Sequence, residues 1–112
     1  MAPPGAPAGE RHAWHLYPIR LADDAGIARD RFIERLFEAG IGCSVHYIPL
    51  HLHRYWRDRY GLKPEMFPHS QHAFERMVSL PIYPSMSEAQ VARVIAAVRS
   101  ATAGPICSWI RA

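Results

Sequence analysis

Residues 85–98, SMSEAQVARVIAAV, constrain the fold more than any other stretch. Ser87 and Gln90 stand in the S-x-x-Q spacing of a capping box, where each side chain satisfies a backbone N–H of the first helical turn. Behind them Val91, Val94, Ile95 and Val98 recur at helical spacing, and Met86 with Val91 occupies the positions of a hydrophobic staple. A helix with one apolar stripe needs a second layer to cover it. The rest of the chain must supply that layer.

Residues 13–21, AWHLYPIRL, read as a strand. Pro18 has no N–H for a ladder bond, so it marks an edge position or a bulge. After the turn DDAG, residues 28–39 form a helix with Phe32, Ile33, Leu36 and Phe37 on one face and charges on the other, stopped by Gly40. Residues 43–48 read as a second strand halted by Pro49, residues 55–60 as a short helix with its rings turned inward, and residues 70–78 as a helix whose Ala73, Phe74, Met77 and Val78 face the core. SLPIY is a short third strand near a sheet margin. The order is strand, helix, strand, two short helices, strand, helix. It predicts an α+β fold, a small three-stranded sheet with helices packed on one face and the other face open to a partner.

Composition agrees with a globular chain: 49% hydrophobic and 21% charged in 112 residues, enough for one modest core. The domain spans residues 12–101. Residues 1–11, with three prolines, three alanines and two glycines, read as a flexible arm or linker remnant. Residues 102–112 are a tail of unassigned role. No apolar run reaches the ~20 residues that span a bilayer, and MAPPGAPAGERH has no secretory apolar core, so the expectation is a soluble, cytoplasmic protein without membrane contact.

The formal net charge is +3. Arg54, Arg57 and Arg59 interleave with Tyr55, Trp56 and Tyr60, a pattern that serves single-stranded nucleic acid when it lines a continuous face. The other basic residues are dispersed, and the expectation is no nucleic-acid partner. Cys43 and Cys107 form no C-x-x-C pair, and Cys43 reads as a small core hydrophobe. His46, His51 and His53 crowd into VHYIPLHLH, but a proline and a turn separate them and no carboxylate or cysteine has ligand spacing. No metal site is expected. A strand end bearing histidines is left as packed or solvated side chains, or as one wall of a pocket. No nucleophile elbow, phosphate loop or dinucleotide fingerprint is present.

HAWHLYPIRL, DRFIERLFEAGIGCSVHYIPLH, RYWRDRYG and SLPIYPSMSEAQVARVIAAV, taken in order over residues 12–100, resemble the C-terminal part of the DegT/DnrJ/EryC1/StrS aminotransferases. Pro18 and the tail after Ala101 depart from the family pattern. The resemblance implies the C-terminal domain of a fold-type I pyridoxal-phosphate transferase, part of an enzyme that moves an amino group from glutamate to a nucleotide-linked keto-sugar in lipopolysaccharide or cell-surface sugar biosynthesis. It implies a homodimeric full enzyme. It also implies that the cofactor lysine and phosphate-binding residues belong to a large domain absent from this chain, leaving no catalytic or cofactor-binding residue here and no activity alone. By the same resemblance His51, in the PLH turn, contacts the sugar nucleotide, with His46 and Tyr47 close behind. The alternative is a free-standing interaction or dimerisation module derived from that domain.

Overall fold

The computed structural model describes residues 8–11 and 13–102. Residues 1–7 of the proposed arm and 103–112 of the tail lie outside them. In chain order the elements are β1 (Tyr17–Arg20), α1 (Arg29–Glu38), a 3-10 turn (Leu50–Leu52), α2 (Arg54–Tyr60), a second 3-10 turn (Pro64–Met66), α3 (Pro68–Arg76), β2 (Met77–Leu80) and α4 (Glu88–Ala101).

Helix α4 starts as its sequence dictates. Ser87 Oγ accepts from the Gln90 N–H at 3.3 Å, and the Ser87 N–H donates to Gln90 Oε1 at 2.8 Å. At its other end the Arg35 guanidinium, reaching from α1, donates to the Ala101 carbonyl at 2.8 Å. That contact satisfies one of the last carbonyls, which have no partner within the helix. Val94, Val98 and Ala101 are buried. Val91 and Ile95, expected in the same stripe, are exposed, so only a narrow seam of α4 meets the core. Met86 packs against that core.

Helix α1 buries Phe32 and Leu36 completely. Phe37 remains 78% exposed, contrary to its expected place on the apolar face. The helix ends in paired bonds: Gly40 N–H to the Phe37 carbonyl and Ile41 N–H to the Leu36 carbonyl, both 2.8 Å. This Schellman pattern needs a left-handed residue at Gly40, where φ is +74°, and it tucks Ile41 into the core.

The sheet is smaller than expected. β1 and β2 pair antiparallel, Tyr17 opposite Leu80 and Arg20 opposite Met77. The second strand expected over residues 43–48 reduces to one bridge, Ser44 opposite Ser79, and the third, expected over SLPIY, is instead β2 at Met77–Leu80. Both backbone bonds of that bridge form, at 3.1 and 2.8 Å. The next rung toward Gly42 would use Pro81, which has no N–H, so the ladder stops there. The bridge also explains Pro18. Ser79 spends its N–H and carbonyl on Ser44, so Pro18 faces it at a non-hydrogen-bonded position on the sheet's outer strand, where its missing donor leaves nothing unpaired.

The helix expected over residues 70–78 begins at Pro68 and ends at Arg76. Met77 and Val78 are strand residues, and Val78 is fully buried between sheet and helices. Pairing with β1 overrides the local helical spacing here. Leu21, Phe32, Leu36, Ile41, Val78, Val94, Val98 and Ala101 form the core between the sheet and the helices α1 and α4. Among the described residues no helix is long and apolar enough to cross a membrane.

Candidate functional site

The segment after Ile41 carries all three predicted site residues, and the Ser44–Ser79 bridge fixes where it starts. Side chains alternate along an extended chain, so His46 lies on the same side as Ser44, above Ser79. There its Nδ1 meets Ser79 Oγ at 2.9 Å. Ser79 is 4% exposed, and its hydroxyl is thus a buried polar group satisfied by one histidine. His15, Ser44, His46, Ser79 and Tyr83 line an open cleft of about 330 Å³ at this point. Tyr47 stands edge-on to the His46 ring, with centroids 4.9 Å apart, and is 75% exposed. Among the described residues no carboxylate touches His46, so the serine–histidine pair lacks the third group that orients a catalytic base. It can bind and orient. Cys43, beside it in the cleft wall, has its thiol pKa pushed up by burial, which favours the uncharged form.

His51 sits elsewhere. Pro49 starts the 3-10 turn, closed by Leu52 N–H to the Pro49 carbonyl at 2.9 Å and by the His53 ring on the Ile48 carbonyl at 3.0 Å. The turn directs His51 inward, and it is 4% exposed. Its ring stacks on Phe67 at 5.0 Å, and its Nε2 lies 2.8 Å from Gln71 Oε1. The structure therefore joins His46 to Tyr47 and Ser79, and His51 to Phe67 and Gln71, with no hydrogen bond or ring contact between the two sets among the described residues. Nor do the described residues hold any group of three histidine, cysteine, aspartate or glutamate side chains placed for a metal.

Helix α2 departs from expectation. None of its residues is buried. Trp56 stacks on Tyr60 at 5.8 Å and 11°, with both rings at the surface rather than in the core. Arg54, Tyr55, Asp58 and Arg59 line a shallow, wide cleft there. Asp58 lies 3.0 Å from Arg57 and 3.7 Å from Arg54, which divides the basic patch instead of joining it into a continuous face.

A pyridoxal-phosphate site needs a lysine amine aimed into a cavity. Lys63, the chain's single lysine, precedes the second 3-10 turn and lines neither cleft. The residues present do not fit that cofactor's anchor.

Ser79, Phe67 and Gln71 escaped the reading of the sequence. Nothing local marks them, because each acquires its role only when β2 or α3 folds back on residues 44–51.

Three comparisons bear on the site. Residues 1–99 match the DegT/DnrJ/EryC1/StrS aminotransferase family. The chain is 45% identical over 96 residues to the spore coat polysaccharide biosynthesis protein SpsC of Bacillus subtilis, covering 84% of this chain and 25% of that protein. It is 48% identical over 90 residues to an uncharacterized protein of Methanocaldococcus jannaschii, covering 80% and 23%. Among solved structures it resembles a DegT/DnrJ/EryC1/StrS aminotransferase of Brucella abortus, with TM-score 0.69, 32% identity, and 90% of this chain on 26% of that one. A Streptococcus pneumoniae protein assigned as a sugar aminotransferase, solved in its PMP form, gives TM-score 0.70 and 28% identity, with 79% of this chain on 22% of that one. The chain spans about a quarter of the length of the relatives it matches.

Proposed function

Because this chain belongs to the DegT/DnrJ/EryC1/StrS aminotransferase family, we propose that it is the small C-terminal domain of a sugar aminotransferase and forms the substrate-side wall of its cleft. The supporting observation is coverage: 80% or more of this chain corresponds to only a quarter of each curated relative. The lysine-bearing, cofactor-binding part lies in the remaining three-quarters, and Lys63 is no substitute for it. The overall exchange is glutamate plus a nucleotide-linked keto-sugar giving 2-oxoglutarate plus the amino-sugar, with pyridoxal phosphate, held by the larger part, carrying the amino group. The full enzyme is a cytoplasmic homodimer in this reading. The sequence likeness runs furthest toward the enzyme that makes UDP-4-amino-4-deoxy-L-arabinose for lipid A modification, so a UDP-linked 4-keto-pentose is the first substrate to assay.

The residues proposed to meet the sugar nucleotide are His46, Tyr47 and His51. His46 offers Nε2 because Ser79 holds Nδ1. Tyr47 offers an exposed ring and hydroxyl. The test separates the two half-reactions of the complete enzyme. His51→Ala is expected to cost about 1–3 kcal/mol in transition-state binding of the keto-sugar, with the glutamate half-reaction nearly unchanged. Equal losses in both half-reactions contradict a substrate-side role.

A second reading, a free-standing dimerisation module, is favoured by the exposed, mutually stacked rings of α2. It requires the 112-residue chain to sediment as a dimer without any other polypeptide.

A further inference from the structure

We propose that Gln71 and Glu75 form a relay that sets the proton position on His51, so that its Nδ1 is presented as a hydrogen-bond acceptor to a donor group on the bound ligand. The inference rests on His51 belonging to the substrate-side wall, and it adds two positioning residues and a ligand preference to that reading.

The relay is fixed from its outer end. Glu75, on the exposed side of α3, accepts from Gln71 Nε2 at 2.7 Å. A carboxylate can only accept, so the NH2 end of the Gln71 amide faces Glu75 and the carbonyl end faces inward. Gln71 Oε1 then lies 2.8 Å from His51 Nε2. A carbonyl oxygen can only accept as well, so Nε2 carries the proton. In the neutral ring Nδ1 is left with a lone pair. Phe67 stacks on the ring, 18° from parallel, and covers one of its faces.

Nδ1 has no hydrogen-bond partner among the described residues, and among them no fully buried side-chain nitrogen or oxygen lacks one. Nδ1 therefore occupies the small solvent-facing edge that His51 retains. An acceptor held in a nearly buried ring selects a neutral donor, a sugar hydroxyl or the imide N–H of a pyrimidine base. A phosphate, which only accepts, does not fit it. Separation by four residues on α3 places Gln71 and Glu75 one turn apart, so two helix positions transmit a surface charge to a buried ring.

Nitrogen-15 NMR of the histidine rings in the 112-residue chain tests the relay directly. The wild type is expected to show His51 as the Nε2–H tautomer. E75K presents a donor to Gln71, turns the amide over, and is expected to move the His51 proton to Nδ1 while the backbone amide spectrum stays folded. A wild-type Nδ1–H tautomer, or an E75K chain that keeps the Nε2–H form, overturns the relay. If E75K does not fold, Q71L decides: the Nε2–H signal, protected in the wild type, is expected to vanish into solvent exchange, and its survival overturns the relay.

In the complete enzyme E75K is expected to raise KM for the nucleotide keto-sugar roughly tenfold and leave the glutamate half-reaction alone. Unchanged KM overturns the acceptor role of Nδ1. Substrates methylated at the base imide, or lacking a sugar hydroxyl, identify which donor accounts for the wild-type preference; if neither change reduces it, the acceptor role is again overturned. Should the enzyme aminate no sugar nucleotide at all, the broader reading fails while the tautomer result stands.

Discussion

Gly40→Ala tests how α1 hands the chain to the segment bearing His46 and His51. Two costs are readable from the structure. Gly40 has φ of +74°, and an alanine held in the left-handed region costs about 1–2 kcal/mol. An added Cβ would also lie 2.6 Å from Arg93 Nη2, which now donates to the Ala39 carbonyl at 3.0 Å. The guanidinium must move, and loss of that surface bond adds about 0.5–1 kcal/mol. The expected total is about 1.5–3 kcal/mol, a large share of the ~5–15 kcal/mol typical of a whole domain. Urea unfolding reads it as a lower midpoint at constant slope. A double-mutant cycle separates the two contributions: in an Arg93→Ala background the cost should fall to the backbone part alone. A loss below about 0.5 kcal/mol would refute the strain argument. Identical losses in both backgrounds would refute the placement of Arg93 over Gly40.

Two further expectations concern buried and surface polar groups. Ser79→Ala keeps the backbone bridge to Ser44 but removes the hydroxyl on His46, so urea unfolding should show a loss of about 0.5–1.5 kcal/mol that His46→Ala does not add to in full. Asp23 has its carboxyl pKa lowered, chiefly by the hydrogen bond from His72, which desolvation opposes and the nearby charges of Arg76, His72 and Arg20 reinforce. A depressed native pKa gives stability that is present above the ordinary value of 3.8 and is lost as pH falls through the native value. Thermal unfolding across the acid range should therefore fall off less steeply for Asp23→Asn than for wild type.

Elements specified by short-range chemistry were legible in the sequence. The capping box at Ser87 and Gln90 and the glycine stop at Gly40 are both read within one helical turn, and both stand where expected. Elements specified by contact were not. Residues 77–78 fit a helix face by spacing, yet Val78 is a strand residue because β1 lies opposite it. The strand over residues 43–48 had the right composition, but after the single bridge of Ser44 to Ser79 the chain leaves β2, and composition does not show where a strand loses its partner. Phe37 and the rings of α2 fit a buried face by helical spacing, but spacing shows only which residues share a face, and these are exposed. The histidines of the site were visible as a cluster, while Ser79, Gln71 and Glu75, which orient them, were hidden by sequence distance.

The most direct test isolates from the source cells the polypeptide that contains residues 12–101 and supplies it with nitrogen-15-labelled glutamate and a UDP-linked 4-keto-pentose. The account predicts a polypeptide roughly four times as long as this chain, with the label appearing as an amino group on the sugar. A 112-residue polypeptide that transfers no label, with or without added pyridoxal phosphate, would contradict it.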